Sequence, residues 1–333
     1  MARVLRWMLP FAASQALLEE QILVVTRHGI RVPFPPLDKV PFSFYSTDAE
    51  RDWFTNFSDW GADQVAGLTD HGQEVIRKMG AHFGETLLKN LSKDFFIYSA
   101  VDSTKRDIKT AISFFKGAYP EANVTEADMF GPGDEHQQSY IRTLLNQGDI
   151  NTPQCVGSAT LPDVIKGETG GDLSALSIEQ QENIMEVNDY FSCCRPELCK
   201  LKGDLSPSGA CTLMNLRTDW EGQHFYWEDF TGPLTVAAKL MEYVQLVYLN
   251  GMDWKKLVPD MTEAGLAKLM HLHEQSMSMA DEYWNAQNSG SELLVHMAAT
   301  MQQYITGTGI SGLQSKPGDA LVYYAAHDIN IYL

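Results

Sequence analysis

Basic residues are scarce in this chain. Its 333 residues hold 25 Lys and Arg against 43 Asp and Glu, a formal net charge of −18. That balance argues against a nucleic-acid partner, because a phosphate backbone needs a basic footprint. Long apolar runs are lacking too. None reaches the roughly 18–20 residues that a membrane span requires, so no span is expected. Cysteine is sparse, with 5 in the chain. No histidine stands among Cys193, Cys194, Cys199 and Cys211 at finger-like spacing, so disulfides are favoured over zinc, with the pairing left open by Cys155. No metal and no cofactor is expected. What the chain has in ordinary measure is apolar residues, 44%, which fits a folded protein of one large domain or two lobes.

One stretch changes character abruptly. Gln21-Ile22-Leu23-Val24-Val25 reads as a buried strand and runs into Thr26-Arg27-His28-Gly29-Ile30-Arg31-Val32-Pro33. Two guanidiniums can grip phosphate oxygens in planar forks. A histidine between them can attack phosphorus, and a glycine lets the backbone come close to a ligand. The stretch therefore reads as a strand end opening onto an anion site. A net negative protein suits phosphate anions better in an acidic compartment, or where positive charge is gathered at one cleft.

Further along, Leu68-Thr69-Asp70-His71-Gly72 opens a helix with Thr69 or Asp70 as cap, and Val75, Met79, Phe83 and Leu87 recur on one face. Asp94–Ala100 reads as a second strand, leading into a helix that carries Arg106 near its start and closes at Pro120. A helix N-terminus favours an anion. From 121 to 317 the pattern turns helical with polar loops. One helix starts at Pro233 and buries Leu234, Ala237, Ala238, Met241, Val244 and Tyr248. Another runs from about Thr262 to Gln287. A third opens on the capping box Ser289-x-x-Glu292 and buries Leu294, Met297, Ala298, Met301 and Ile305. Ala320–Ala326 is a last apolar strand, running into His327-Asp328.

Arg27-His28-Gly29-x-Arg31-x-Pro33 resembles the signature of the histidine acid phosphatases. Leu68-Thr69-x-x-Gly72, Arg106 with its Gly117-x-x-Pro120 ending, and His327-Asp328 at a strand end are similar to further stations of that family. The fold read from the pattern is α/β: a mostly parallel open sheet with flanking helices plus an inserted, mainly helical lobe. Residues 21–120 and 318–333 form the core, 121–317 the lobe, and 1–20 a secretory leader. Family members generally continue past the position of Leu333, so a further C-terminal part is expected.

The resemblance implies an acid phosphatase. His28 would attack phosphorus, with Arg27, Arg31, Arg106 and His327 holding the phosphoryl oxygens. Asp328 would protonate the leaving alcohol and later activate water. The partner is a small phosphomonoester, and a homodimer stands open. Sequons at Asn56, Asn90 and Asn123 and the leader point to the secretory pathway, secreted or in a lysosome- or vacuole-like lumen. The segment from Phe34 to Gly67 is aromatic and expected near the cleft mouth. Residues 32–67 hold Lys39 and Arg51 against Asp38, Asp48, Glu50, Asp52, Asp59 and Asp63, which disfavours polyphosphorylated substrates such as phytate. Two alternatives stay open: a phosphoglycerate mutase-like enzyme, and a glycoprotein that keeps the fold without turnover.

Overall fold

The computed structural model describes residues 2–5, 20–35, 40–91, 93–99, 106–128, 167, 169–220, 230–278, 291–327 and 331. In chain order the strands are β1 (Ala2–Leu5), β2 (Ile22–Arg27), β3 (Phe95–Ser99), β4 (Asp219–Trp220), β5 (Phe230–Thr231) and β6 (Leu321–Ala326). The helices are α1 (Asp70–Glu85), α2 (Arg106–Ala118), α3 (Ala175–Glu179), α4 (Gln181–Phe191), α5 (Pro196–Lys202), α6 (Pro233–Leu249), α7 (Glu263–Ser278) and α8 (Ser291–Thr306). Two compact units result. The first holds residues 1–31, 67–151 and 285–333, and the second 32–66 and 152–284.

The first unit is built on a sheet ordered β1-β2-β6-β3. β2 and β3 both run parallel to the central β6, and β1 is antiparallel on the edge of β2. Ile22 to Val25 and all of β6 are buried, as uninterrupted apolar parallel strands should be when both faces are covered. Side chains alternate between those faces. Ile22, Val24, Ile97, Leu321, Tyr323 and Ala325 meet Ile76 of α1 and Phe114 and Phe115 of α2. Leu23, Val25, Tyr98, Val322, Tyr324 and Ala326 meet Leu293 and Met297 of α8. The fold is thus a small, mostly parallel open sheet with flanking helices, as the sequence pattern implies. α8, expected within the helical lobe, covers the second face of the sheet instead.

In this unit, two helix faces differ from their periodic reading. On α1, Val75 is 41% exposed, while Gly72, Ile76 and Gly80 are buried. Glycines line this seam, so the two helices come close enough that a Cβ on Gly80 or Gly117 would collide with backbone of α2 or α1. An apolar count cannot see a seam made of hydrogen atoms. On α8, Leu294 and Ile305 are exposed at 64% and 58%, and Ala298 is exposed as well. The buried face carries Leu293, His296, Met297, Thr300 and Gln303. Its polar members find local partners: His296 Nδ1 lies 3.1 Å from Tyr324 OH, and Gln303 Nε2 donates to Ser315 O at 2.8 Å. Ser289 of the expected capping box lies outside the described residues.

The second unit centres on α6. Leu234, Ala237, Ala238, Met241 and Val244 are buried, and so are Leu240, Tyr243, Leu246 and Val247 on the other sides; Tyr248, expected inward, is 39% exposed. Residues 32–66, expected with the α/β core, join this unit. Their aromatic rings enter its packing: Phe42, Trp53 and Trp60 surround Tyr243, and Trp53 stacks on Phe191. Arg51 is drawn in as well. Its guanidinium donates to Leu257 O and to Ser46 Oγ and lies over the Phe191 ring. Disulfides join Cys199 to Cys211 and Cys193 to Cys194; Cys155 lies outside the described residues. The α7 reading ends at Ser278, and its expected continuation to Gln287 is likewise outside them.

Candidate active site

Strand register brings the site together. Arg27 pairs with Ala326 as the last residues of β2 and β6. His28 and His327 therefore leave the sheet side by side, one step beyond the paired ends, which is where ligands gather in open parallel sheets. Their rings meet edge to face, with centroids 5.6 Å apart. His28 N donates to Ala326 O at 2.9 Å, tying the two ends to each other. Both imidazoles are buried.

The loop after His28 is held from two sides. Gly29 N donates to Thr110 Oγ1 of α2 at 3.0 Å. Thr69 N donates to Ile30 O at 2.9 Å, and Arg31 bridges Leu68. Thr69 Oγ1 in turn caps α1 by accepting from Gly72 N. Gly29 itself has no room for a side chain: a Cβ would stand 2.9 Å from Leu68 and 3.0 Å from Ile76. The Leu68-Thr69-x-x-Gly72 segment is therefore a cradle for Gly29 and Ile30 as well as a helix start.

His28 has a fixed tautomer. Its Nδ1 lies 2.9 Å from Gly29 O. A carbonyl oxygen only accepts, so Nδ1 carries the proton and Nε2 keeps the lone pair. The ring also resists a second proton. Burial lowers its pKa well below the ordinary value, followed by the charges of Arg27, Arg106, His327 and Arg31. These four groups lie near enough for their charges to act on His28. Arg106 is the first residue of α2, where the helix dipole adds to the positive field. Arg31 and Arg106 are buried, and Arg27 is half-buried. Of the residues expected at the site, the structure brings together Arg27, His28, Arg31, Arg106 and His327; Asp328 lies outside the described residues.

Two residues escaped the sequence reading. Thr110 anchors Gly29, and Asp107 is a fully buried carboxylate whose Oδ2 is 3.7 Å from His327 Nε2. A signal was there. Asp107, Thr110, Ala111, Phe114 and Ala118 fall on one helical face, so polar groups on an otherwise apolar face marked a site. Behind the sheet end, Tyr323 OH and Thr26 Oγ1 are 2.7 Å apart, and burial pushes the phenol pKa up. Among the described residues, no group of His, Cys, Asp and Glu is arranged to hold a metal ion.

No protein-family model and no curated protein matches the sequence. Solved structures do. The chain is similar to the phytase of Hafnia alvei in complex with myo-inositol hexakis sulphate, with a TM-score of 0.67, 17% identity, and 94% of this chain and 73% of that one covered. It is similar to the phytase from Citrobacter braakii, with a TM-score of 0.60, 18% identity and coverage of 94% and 73%. Klebsiella sp. ASR1 phytase gives a TM-score of 0.59, 18% identity and coverage of 94% and 71%. The chain has the fold of these phytases, the fold that its resemblance to the histidine acid phosphatases implies.

Proposed function

We propose that this protein is a phosphomonoester hydrolase of the histidine acid phosphatase type, acting through a phosphohistidine. The observation that carries the reading is the contact of His28 Nδ1 with Gly29 O, which leaves Nε2 without a proton on a ring that feels the charges of Arg27, Arg106, His327 and Arg31. Nε2 forms a bond to phosphorus as the bond from phosphorus to the ester oxygen breaks. Arg27, Arg31, Arg106 and His327 hold the three non-bridging oxygens while charge redistributes. Asp328, assigned from the sequence, gives its proton to the leaving alcohol. It then takes a proton from water, which attacks the phosphohistidine and frees His28.

The proposed optimum is acidic. His28 stays neutral in acid because burial and the neighbouring cations lower its pKa, while Asp328 must still be protonated when substrate is bound. A rate profile that rises steadily from acid to alkaline pH contradicts this.

The proposed substrates are aryl, sugar or lipid monoesters. Residues 32–67 are net acidic, and Arg51, one of their two basic residues, is engaged inside the second unit. A competing substrate, phytate, is favoured by the fold neighbours, one of which binds a hexasulphate of inositol. Rates on phytate and on an aryl phosphate, measured across pH, separate the two. The proposal predicts a higher kcat/KM for the aryl ester, and the reverse order assigns a phytase.

A secretory location is proposed with it. The Cys199–Cys211 disulfide suits an oxidising compartment. Asn56, Asn90 and Asn123, the three sequon asparagines, are exposed. Among the described residues, no helix is long and apolar enough to cross a membrane.

A further inference from the structure

The two histidines of the site sit in opposite surroundings. His28 donates from Nδ1 to a neutral carbonyl and feels the cations of Arg27, Arg106 and Arg31. His327 has a carboxylate beside it: Asp107 Oδ2 is 3.7 Å from Nε2, and Asp107 is entirely buried. Asp107 lies in the first turn of α2, where the helix dipole favours a negative group. The cations that disfavour a charged His28 favour an ionised Asp107. Tyr323, on β6, also senses Asp107. A charged residue in so buried a place needs a reason, and packing alone would be served by an apolar side chain.

We infer that Asp107 is a positioning residue that keeps His327 an imidazolium directed at the phosphoryl oxygens, while His28 a few ångströms away stays neutral. The inference rests on the phosphatase reading of the site and deepens it. Two imidazoles 5.6 Å apart cannot both be cationic at low cost beside three arginines. A carboxylate placed against one ring decides which of them carries the charge. Asp107 thereby separates the binding imidazole from the nucleophilic one.

Asp107→Asn tests this, because it keeps the shape and one acceptor oxygen and removes the charge. Binding of inorganic phosphate is measured by calorimetry across pH in both proteins, the ligand's own ionisation being common to them. Nitrogen-15 shifts of the imidazoles, with the His327 signals assigned through His327→Asn, report the proton directly. In the variant, the pH at which phosphate affinity falls should drop by about one to two units. Between the two midpoints, affinity should be about tenfold weaker than in the original protein, and the His327 ring should turn neutral over the same shifted range. Unchanged midpoints in both measurements overturn the inference. If the variant fails to fold, the original protein decides alone. An imidazolium at His327 above pH ~6.5, the ordinary histidine value, supports it, and a neutral ring at about that pH or below overturns it. Absence of phosphate binding by the unmodified protein counts against the phosphatase reading, and the ring shifts still decide the role of Asp107.

Discussion

At the scale of single residues, the site depends on where protons and charges are fixed. Gly29 O holds the His28 proton on Nδ1, and burial with the surrounding cations keeps a second proton off. Arg31 is buried and its loop is pinned through Leu68 and Thr69. A planar fork at this place can meet two phosphoryl oxygens at once, which a lysine cannot do. Arg31→Lys is therefore expected to lower kcat/KM by roughly 10²-fold or more, with thermal stability close to that of the parent. Steady-state kinetics beside a melting curve checks both halves. Most of these residues were legible in the sequence, because a strand end followed by Arg27-His28-Gly29-x-Arg31 has few other physical uses. Asp107 and Thr110 were not, because a helix read for its apolar stripe hides the polar residues on that same stripe.

At the scale of elements, the parallel seam between α1 and α2 sets the position of Arg106, Asp107 and Thr110. That seam is built on Gly80, Gly84 and Gly117. A methyl at Gly117 would run into the Arg77 carbonyl and force the helices apart. Gly117→Ala should cost about 1–3 kcal/mol or more, and kcat/KM should fall with it, since α2 carries the Thr110 that anchors Gly29. Gly318→Ala has nothing within 4 Å of the added methyl and should stay within about 0.5 kcal/mol of the parent. Chemical denaturation of the two variants makes the comparison; equal losses would contradict the seam. Elements of this kind explain where sequence reading failed. The strands β2, β3 and β6 were found because buried parallel strands are apolar without interruption. The faces of α1 and α8 were misjudged because one is lined by glycine and the other by His296, Thr300 and Gln303, each of which makes a hydrogen bond inside. α6 was read as one-faced because its solvent side was assumed, although the helix is buried nearly all round.

At the scale of the whole molecule, the proposed acidic optimum requires a protein that tolerates acid. His296 is buried on the sheet face away from α1 and α2, edge-on to Tyr98 with ring centroids 4.8 Å apart. Burial lowers its pKa from 6.5 to about 4. In the unfolded chain the ring takes a proton near the ordinary value, so between those two pH values the unfolded state binds more protons. Stability must then fall as pH drops through that window and level off below it. At about 1.4 kcal/mol per unit, the full loss from this residue is up to about 3 kcal/mol. His28 acts in the same direction. His296→Gln should flatten the acid side of a plot of melting temperature against pH, while an unchanged slope would place the acid sensitivity elsewhere.

The central claim is that His28 is the nucleophile, and the most direct measurement is chemical trapping. The protein is mixed with a labelled phosphomonoester, quenched in alkali and digested, and the phosphorylated peptide is mapped. The account predicts phosphate on the peptide carrying His28, stable in base and labile in acid, and none in His28→Ala. Turnover without a phosphohistidine, or a His28→Ala variant that still releases phosphate at the parent rate, would contradict it.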